Sequence, residues 1–426
     1  MMNHFLLFLC ILGFFTSCSP KGEEEIVLIQ VKEHDGSLQT FNEKKRLEKF
    51  ASIDYLSPQP YSQVLRVFRK NLEDKGRSIL TSYHPNGQIK QCMEGIDSVA
   101  KGPYYEWHAN GNKKIEARVI GGAFDLHYAS QQHWLFDGIS KVWDEEGRLL
   151  AEIAYDMGML HGESKYYYQN GQLKTRIPYK KRRVHGAICL YYPNGHLQKK
   201  TYYQHGKKHG SSLGYWENEE PSLFEEYAED RLLNAIYYDQ KGTVVSQVEN
   251  GYGFQAEFSG DFLSQKVEYQ EGIPEGCVIL YASCGKVTGK YHQKEGKKHG
   301  TETLFYPMKG ADSLEPQIKL SVDWDDDTIH GFVKTWYPNG KMESQKEYYR
   351  NQKNGTCFAW YQDGSLMLIE EYEKDLLQEG AYYKAQHQAP LSKVTEGEGI
   401  ATLFDGESFA FLRKIVYARG KPVENP

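Results

Sequence analysis

A chain of 426 residues admits two or three globular domains or one long repeat array. Its 51 basic and 57 acidic residues give a formal charge of −6, which leaves no overall basic footprint for nucleic acid, and 25% charged residues exclude wholesale disorder. An aromatic content of 14%, with 32 Tyr and 40 Gly against only 40% apolar residues, predicts strands and frequent turns.

In chain order, Phe5 to Phe15 is an apolar run too short to span a bilayer as a helix, and it fits the apolar region of a signal peptide. Phe15-Thr16-Ser17-Cys18 follows and resembles the lipobox of bacterial lipoproteins. That resemblance implies removal of residues 1–17, a lipid on Cys18, and a protein anchored in the cell envelope outside the cytoplasm. Ser19 after the Cys implies the outer membrane. Without the resemblance, the same residues read as an ordinary secretory signal or an uncleaved anchor. Residues 18–24 form a polar tether. Residues 25–75 are expected to be an N-terminal cap over a sheet edge, with a strand at Glu25 to Lys32, a short helix at Asn42 to Phe50 capped by Asn42, and a strand at Tyr61 to Lys70.

The next three hundred or so residues carry a period of 24. His161-Gly162, His185-Gly186 and His209-Gly210 keep that spacing, and His330-Gly331 and Asn354-Gly355 repeat it. A second pair keeps the same beat at Asn86-Gly87, Asn110-Gly111, Asn170-Gly171, Asn194-Gly195 and Asn339-Gly340. Five residues after the first Gly stands an aromatic, as in Trp107, Trp143, Tyr167, Tyr191, Tyr215, Trp336 and Trp360. Asn-Gly is a strong hairpin signal because both residues tolerate positive φ. The reading is therefore two strands per repeat, one turn at Asn-Gly and the other at His-Gly, with the aromatics packed on one face. A single hairpin is marginal alone in water, so many copies must stack.

Tyr192-Pro-Asn-Gly-His-Leu197 and Tyr337-Pro-Asn-Gly-Lys-Met342, each in register with His-Gly, resemble MORN-type repeats of the bacterial variant often named YwqK-like antitoxin component. The resemblance covers roughly residues 76–383, with degenerate copies near 211–275. It implies an all-β fold, an elongated twisted antiparallel sheet of stacked hairpins. It also implies either a binding or scaffold module or, as the alternative, an antitoxin that neutralises a toxin by direct binding. Segment 384–398 lacks repeat signals and reads as a loop, and 399–426 reads as a divergent capping repeat.

No catalytic signature is present: no Gly-x-Ser-x-Gly, no phosphate-binding Gly loop and no Cys-x-x-Cys. Equivalent His residues lie two strands apart, about 10 Å, whereas two nitrogens on one zinc each lie ~2 Å from it. Successive copies therefore do not share a metal. Asp323, Asp325, Asp326 and Asp327 begin like a calcium loop, but Thr328 replaces the required Gly and Lys334 the closing Glu. Cys92, Cys189, Cys277, Cys284 and Cys357 are odd in number and scattered, which gives no disulfide framework. No cofactor, metal or small-molecule substrate is indicated. The candidate contact residues are Lys180, Lys181, Arg182, Arg183, Lys207, Lys208, Lys297 and Lys298, which precede His-Gly pairs and are expected along one basic rim. Such a rim suits anionic headgroups or an acidic protein. The expected partners are the membrane, through the lipid, and one protein.

Overall fold

The computed structural model describes residues 24–69, 76–307 and 316–423. Cys18 lies outside them. The fold is all-β, with, among the described residues, 35 antiparallel strands and two short helices, Lys44–Ala51 and Tyr128–Gln131. It divides into two compact units. One comprises the chain to Leu173 with Tyr179–Arg182, and the other comprises Lys174–Pro178 with the chain from Arg183 onward.

In the first unit, Glu25–Lys32 lies between Leu38–Phe41 and Gln63–Arg69, and from there each strand pairs with the next in sequence. The short edge strand Leu38–Phe41 was not foreseen. The helix begins after Glu43 rather than at a capping Asn42, and no side chain caps it. Its Leu47 and Phe50 pack on Ile29, Val31, Val64 and Tyr55, and Phe50 stacks on Phe41 at 4.5 Å. The helix thus covers the flank of an edge that would otherwise offer a template for aggregation. A second cluster forms around Met93, Tyr104, Val119 and Trp134.

The second unit shows the repeat most plainly, and its turns differ from the expected ones. Between Gly186–Tyr191 and Leu197–Gln204, the Tyr192 carbonyl accepts the Gly195 N–H at 2.9 Å, the Tyr192 N–H donates to the His196 carbonyl, and the Asn194 side chain accepts the His196 N–H. Only Gly195 has positive φ, at 90°, and the register slips beside Tyr191. Asn-Gly therefore builds a three-residue loop with a glycine bulge, not the two-residue turn with both φ positive.

The two-residue turns lie at the other end of the hairpin, at His205-Gly206, Glu229-Asp230, Asp326-Asp327, Arg350-Asn351 and Lys374-Asp375, each with positive φ at both residues. The periodic His-Gly, unlike His205-Gly206, is not a turn. His209-Gly210 follows the turn inside the strand Lys207–Tyr215, where the register shifts so that residues 209–211 face Tyr202 alone. A bulge leaves an N–H outside the ladder, and in two copies an acidic residue on the facing strand accepts it. The Phe332 N–H donates to Asp323 Oδ2 at 2.9 Å and the Cys277 N–H to Glu268 Oε2 at 2.6 Å. The intervening Gly has to be Gly: at Gly331, with φ at 117°, a Cβ would come within 2.9 Å of Asp323 Cβ.

Successive hairpins are tied at both ends. Tyr192 Oη donates to the Tyr215 carbonyl at 2.9 Å, Tyr337 Oη to Trp360 at 2.8 Å, and Tyr361 Oη to Tyr383 at 2.7 Å. In the first unit His84 and His108 take the same role through Nε2, at 3.0 Å from the Trp107 carbonyl and 3.1 Å from that of Trp143. At the opposite end the turn aspartates clasp the preceding turn. The Lys208 N–H donates to Asp230 Oδ1 at 2.8 Å while the Asp230 N–H returns to the Lys208 carbonyl, and Lys298 with Asp327 and Lys353 with Asp375 repeat the exchange.

Two hydrophobic clusters of this unit are copies of one design, 145 residues apart. Tyr227, Leu232 and Tyr237 in one correspond to Tyr372, Leu377 and Tyr382 in the other. In each, three turns meet: Leu232 N–H donates to the Gly272 carbonyl and Gly272 N–H to Gly251, just as Leu377 donates to Gly420 and Gly420 to Gly397. Segment 384–398, expected as a loop, contains the strand Ser392–Thr395, which joins this second copy by pairing with Leu376–Tyr382 and Glu398–Phe404. Its brevity after Pro390 hid it. All five cysteines named above are free, and Cys284 lies in the turn beyond the strand Ile273–Tyr281 that holds Cys277.

Gly331→Ala combines a disfavoured φ with the clash against Asp323. It should lower stability by about 1–3 kcal/mol, read as a fall in urea midpoint with unchanged m-value, whereas alanine at Gly242, which has open space around its Cβ position, should cost less.

Candidate binding surface

The face of the second unit that carries the aromatics also buries charge. Glu225, on Pro221–Ala228, is 1% exposed. Tyr237 Oη donates to its Oε1 at 3.0 Å, Gln255 Nε2 to the same oxygen at 3.2 Å, and Lys199 Nζ to Oε2 at 3.0 Å. Burial pushes this carboxyl's pKa up, but the Lys199 charge and the three donors outweigh it and hold the group below its ordinary value. Burial and the Glu225 charge drive the phenols of Tyr237 and Tyr227 far above their usual range and raise that of Tyr269 to about 12.

Related centres recur. Glu302 accepts both oxygens' bonds from Lys298, at 2.7 and 2.8 Å, and one from Trp324 Nε1 at 2.9 Å. Glu370 accepts from Tyr382 at 2.9 Å and Tyr372 at 3.2 Å. In the first unit Glu106 accepts from Tyr104 at 2.7 Å and Lys114 at 2.6 Å.

Beside Glu225 opens a groove of about 720 Å³. Trp216 and Phe258, edge to face at 4.9 Å, form its apolar wall with Leu223, while Glu217, Glu257 and Asp261 make its exposed polar rim. Trp216 occupies the position of Tyr192 and Tyr337 in the repeat. It is 6% exposed, and its Nε1 has no hydrogen-bond partner. Sequence reasoning passed over Glu225, Gln255 and this groove. The one available signal was Trp216 itself, where the two preceding repeats put Tyr168 and Tyr192.

The expected basic rim is distributed differently. Lys180, Lys181, Arg182 and Arg183 are exposed, the first three in the first unit and Arg183 in the second. Lys181 and Arg182 are the two central residues of a turn. Lys208 and Lys298 turn inward: Lys208 Nζ lies 4.6 Å from the Tyr227 ring centre, and Lys298 Nζ lies 5.0 Å from those of Tyr291 and Trp324. Lys207 and Lys297 stay exposed but face Glu229 at 3.0 Å and Asp326 at 4.0 Å. The next turn in the stack supplies acidic residues, so these turns are mixed in charge. The calcium-like aspartates are divided in the same way. Asp327 and Asp323 accept backbone N–H groups, while Asp325 and Asp326 lie near exposed His299. The one group of potential metal ligands among the described residues is His299, Asp325 and Asp326, all exposed.

A family model described as MORN repeat variant matches residues 160–181, 184–205 and 329–351, so the chain carries MORN-type repeats. No curated protein matches it. Among solved structures it is similar to a chain in a mutant Tc holotoxin pore of Photorhabdus luminescens, with 10% identity and a TM-score of 0.13, a likeness too slight to carry an argument. The alignment covers 93% of this chain, which spans 28% of that one.

Two measurements test the buried centre. Glu225→Ala leaves Lys199 and Tyr237 without their partner and should cost roughly 3–5 kcal/mol, whereas Glu225→Gln with Lys199→Met should cost less. A phenol whose pKa is raised on folding stabilises the protein below its ordinary pKa of 10.0 and loses that contribution as pH rises. Spectrophotometric titration should therefore show a class of tyrosines that ionise only with alkaline unfolding, above pH 10.0.

Proposed function

We propose that this protein is a non-catalytic binding scaffold, tethered to the bacterial cell envelope by lipid on Cys18, whose groove beside Glu225 docks a protein partner. MORN-type repeats are generally binding or scaffold modules, which supports the coarser part of this reading. The tether rests on the lipobox resemblance, and the observation that carries the reading of the groove is the state of the buried carboxylates. Glu225 has its two oxygens committed to Tyr237, Gln255 and Lys199, and Glu302 has its own committed to Lys298 and Trp324. A general base needs access to a substrate proton, and these buried groups face internal donors. These groups instead fix the shape of a surface. The groove has the volume and the mix of apolar wall and polar rim that suit recognition. Exposed Gln198 and Gln240 line it without internal partners and are free to contact a ligand.

Palmitate labelling with fractionation tests the tether. Label in the wild type, lost in Cys18→Ala, with the protein in the envelope, is the expected result. An unlabelled cytosolic protein overturns the tether and moves a binder of a cytosolic toxin to first place. A photo-crosslinking residue at Gln240 tests the groove in cells. A discrete adduct that is absent when the same residue stands at exposed Glu373, away from the groove, is expected, and equal labelling at both positions overturns the groove.

A further inference from the structure

The two copies of the duplicated design treat the groove differently. Tyr337, Tyr361, Gln362 and Met367 stand in the second copy where Tyr192, Trp216, Glu217 and Ser222 stand in the first, each 145 residues on. The turns match as well: the Trp216 N–H donates to the Glu220 carbonyl at 2.8 Å, and that of Tyr361 to the Ser365 carbonyl at 2.8 Å. All four first-copy residues line the open groove.

In the second copy the chain itself takes that space. The first-copy strands Tyr252–Ser259 and Phe262–Gln270 meet at a tight turn, because Ser259 pairs with Phe262 and only Gly260-Asp261 intervene. Their counterparts Glu398–Phe404 and Phe411–Ala418 pair last at Phe404 and Phe411, which leaves a six-residue loop, 405–410. This loop lies on the counterpart positions. The Gln362 N–H donates to the Gly406 carbonyl at 2.9 Å. Phe409 meets Tyr361 edge to face at 5.5 Å. Gly406 sits so close to Tyr337 and Met367 that a Cβ there would strike the Tyr337 hydroxyl and come within 3.3 Å of Met367 Cε. The shorter turn of the first copy stops at the rim, where Gly260 and Asp261 line the groove. Among the described residues, the Glu217 N–H has no backbone partner to match the one Gln362 finds.

We propose that the first copy's groove takes a loop of a partner protein that carries a glycine, a basic residue and an aromatic where the second copy's own loop carries Gly406, Glu407 and Phe409. The second copy supplies the mode of binding: a loop carbonyl on the N–H of residue 217, with the aromatic ring beside it. Charge selects the occupant. Glu217 stands where the second copy has Gln362, and Glu217, Glu257 and Asp261 are exposed on the rim. Among the described residues, none of these carboxylates takes part in an ion pair, and the groove's Lys199 is committed to Glu225 at 3.0 Å. An acidic loop such as 405–410 from a second copy of the chain would set carboxylate against carboxylate, whereas a basic residue is attracted. The inference rests on the groove reading above and adds the chemistry of its occupant.

The probe is a cyclic peptide that reproduces residues 404–411 with Glu407→Lys, compared with its Glu parent by fluorescence polarisation on the full chain. Cyclisation holds the loop in its bound shape. The Lys form should bind about tenfold more tightly than the Glu form at low salt, and the gap should close as salt rises. Glu257→Lys with Asp261→Lys should reverse the order. Replacing residues 259–262 by Asp-Gly-Lys-Ser-Phe-Ala gives the first copy a tethered occupant, which should abolish peptide binding in a protein that melts no lower than the wild type. Three results overturn the proposal: no binding of the Lys form; equal binding of both forms at low salt; or binding that survives the loop replacement in a protein that melts as the wild type. Concentration-dependent dimers lost on the loop replacement would assign the groove to a second copy and overturn the basic partner. The crosslink at Gln240 separates the two readings. A discrete adduct in cells without peptide binding overturns this occupant alone, and equal labelling at Gln240 and Glu373 overturns the groove with it.

Discussion

Several hairpins in this protein are completed by a hydrogen bond to the next. The hydroxyl of a turn tyrosine reaches the backbone carbonyl of the following repeat, as Tyr192 does to Tyr215 and Tyr337 to Trp360. The carbonyl it satisfies sits where the glycine bulge has pulled the strand out of register, and such a group is expensive to bury unpaired. The aspartates of the opposite turns do the same work for the bulge end, where Asp230, Asp327 and Asp375 each clasp the preceding turn. Glycine at the bulge, an acidic residue on the facing strand and a donor on the adjacent turn are therefore one solution to one problem, the loss of ladder bonds wherever a strand must bend. The 24-residue period is the length at which that solution recurs.

The same constraint shapes the inner face. A sheet built from hairpins of about eight residues per strand presents few purely apolar rows, and its buried positions include Glu225, Thr201, Ser212 and Ser164. These groups are tolerated because they pair: Thr201 with Ser212 at 2.8 Å, and Glu225 with Lys199, Tyr237 and Gln255. A buried network of this sort is weak evidence for stability and better evidence for a fixed geometry. Here it holds a groove open between Trp216, Phe258 and the Glu225 centre.

Where the repeat departs from its period, it builds something else. At Gly272 in one copy and Gly420 in the other, direct contact of three turns replaces the aspartate clasp, which glycine permits because the backbones touch. In one copy the chain returns as the strand Ile273–Tyr281, and in the other the described return is Lys421–Pro422.

The sequence by itself determined the fold class, the spacing of the hairpins and the identity of the packed aromatics, because these follow from a local period of side-chain alternation and from residues that tolerate turns. It placed Tyr192-Pro-Asn-Gly and Gly331 at special positions but assigned them the wrong geometry: Asn-Gly and His-Gly were both read as two-residue turns, since a bulge and a turn use the same glycine. The rim lysines were read alike, although Lys208 and Lys298 fold inward over rings contributed by other strands while Lys207 and Lys297 do not. Adjacent residues of a strand point to opposite faces, and which face is buried depends on register across the sheet. Only the tertiary structure brought Gln255 to Glu225 across 30 residues and set Phe258 against Trp216, because curvature of the sheet, which no local pattern encodes, decides which distant strands share a surface.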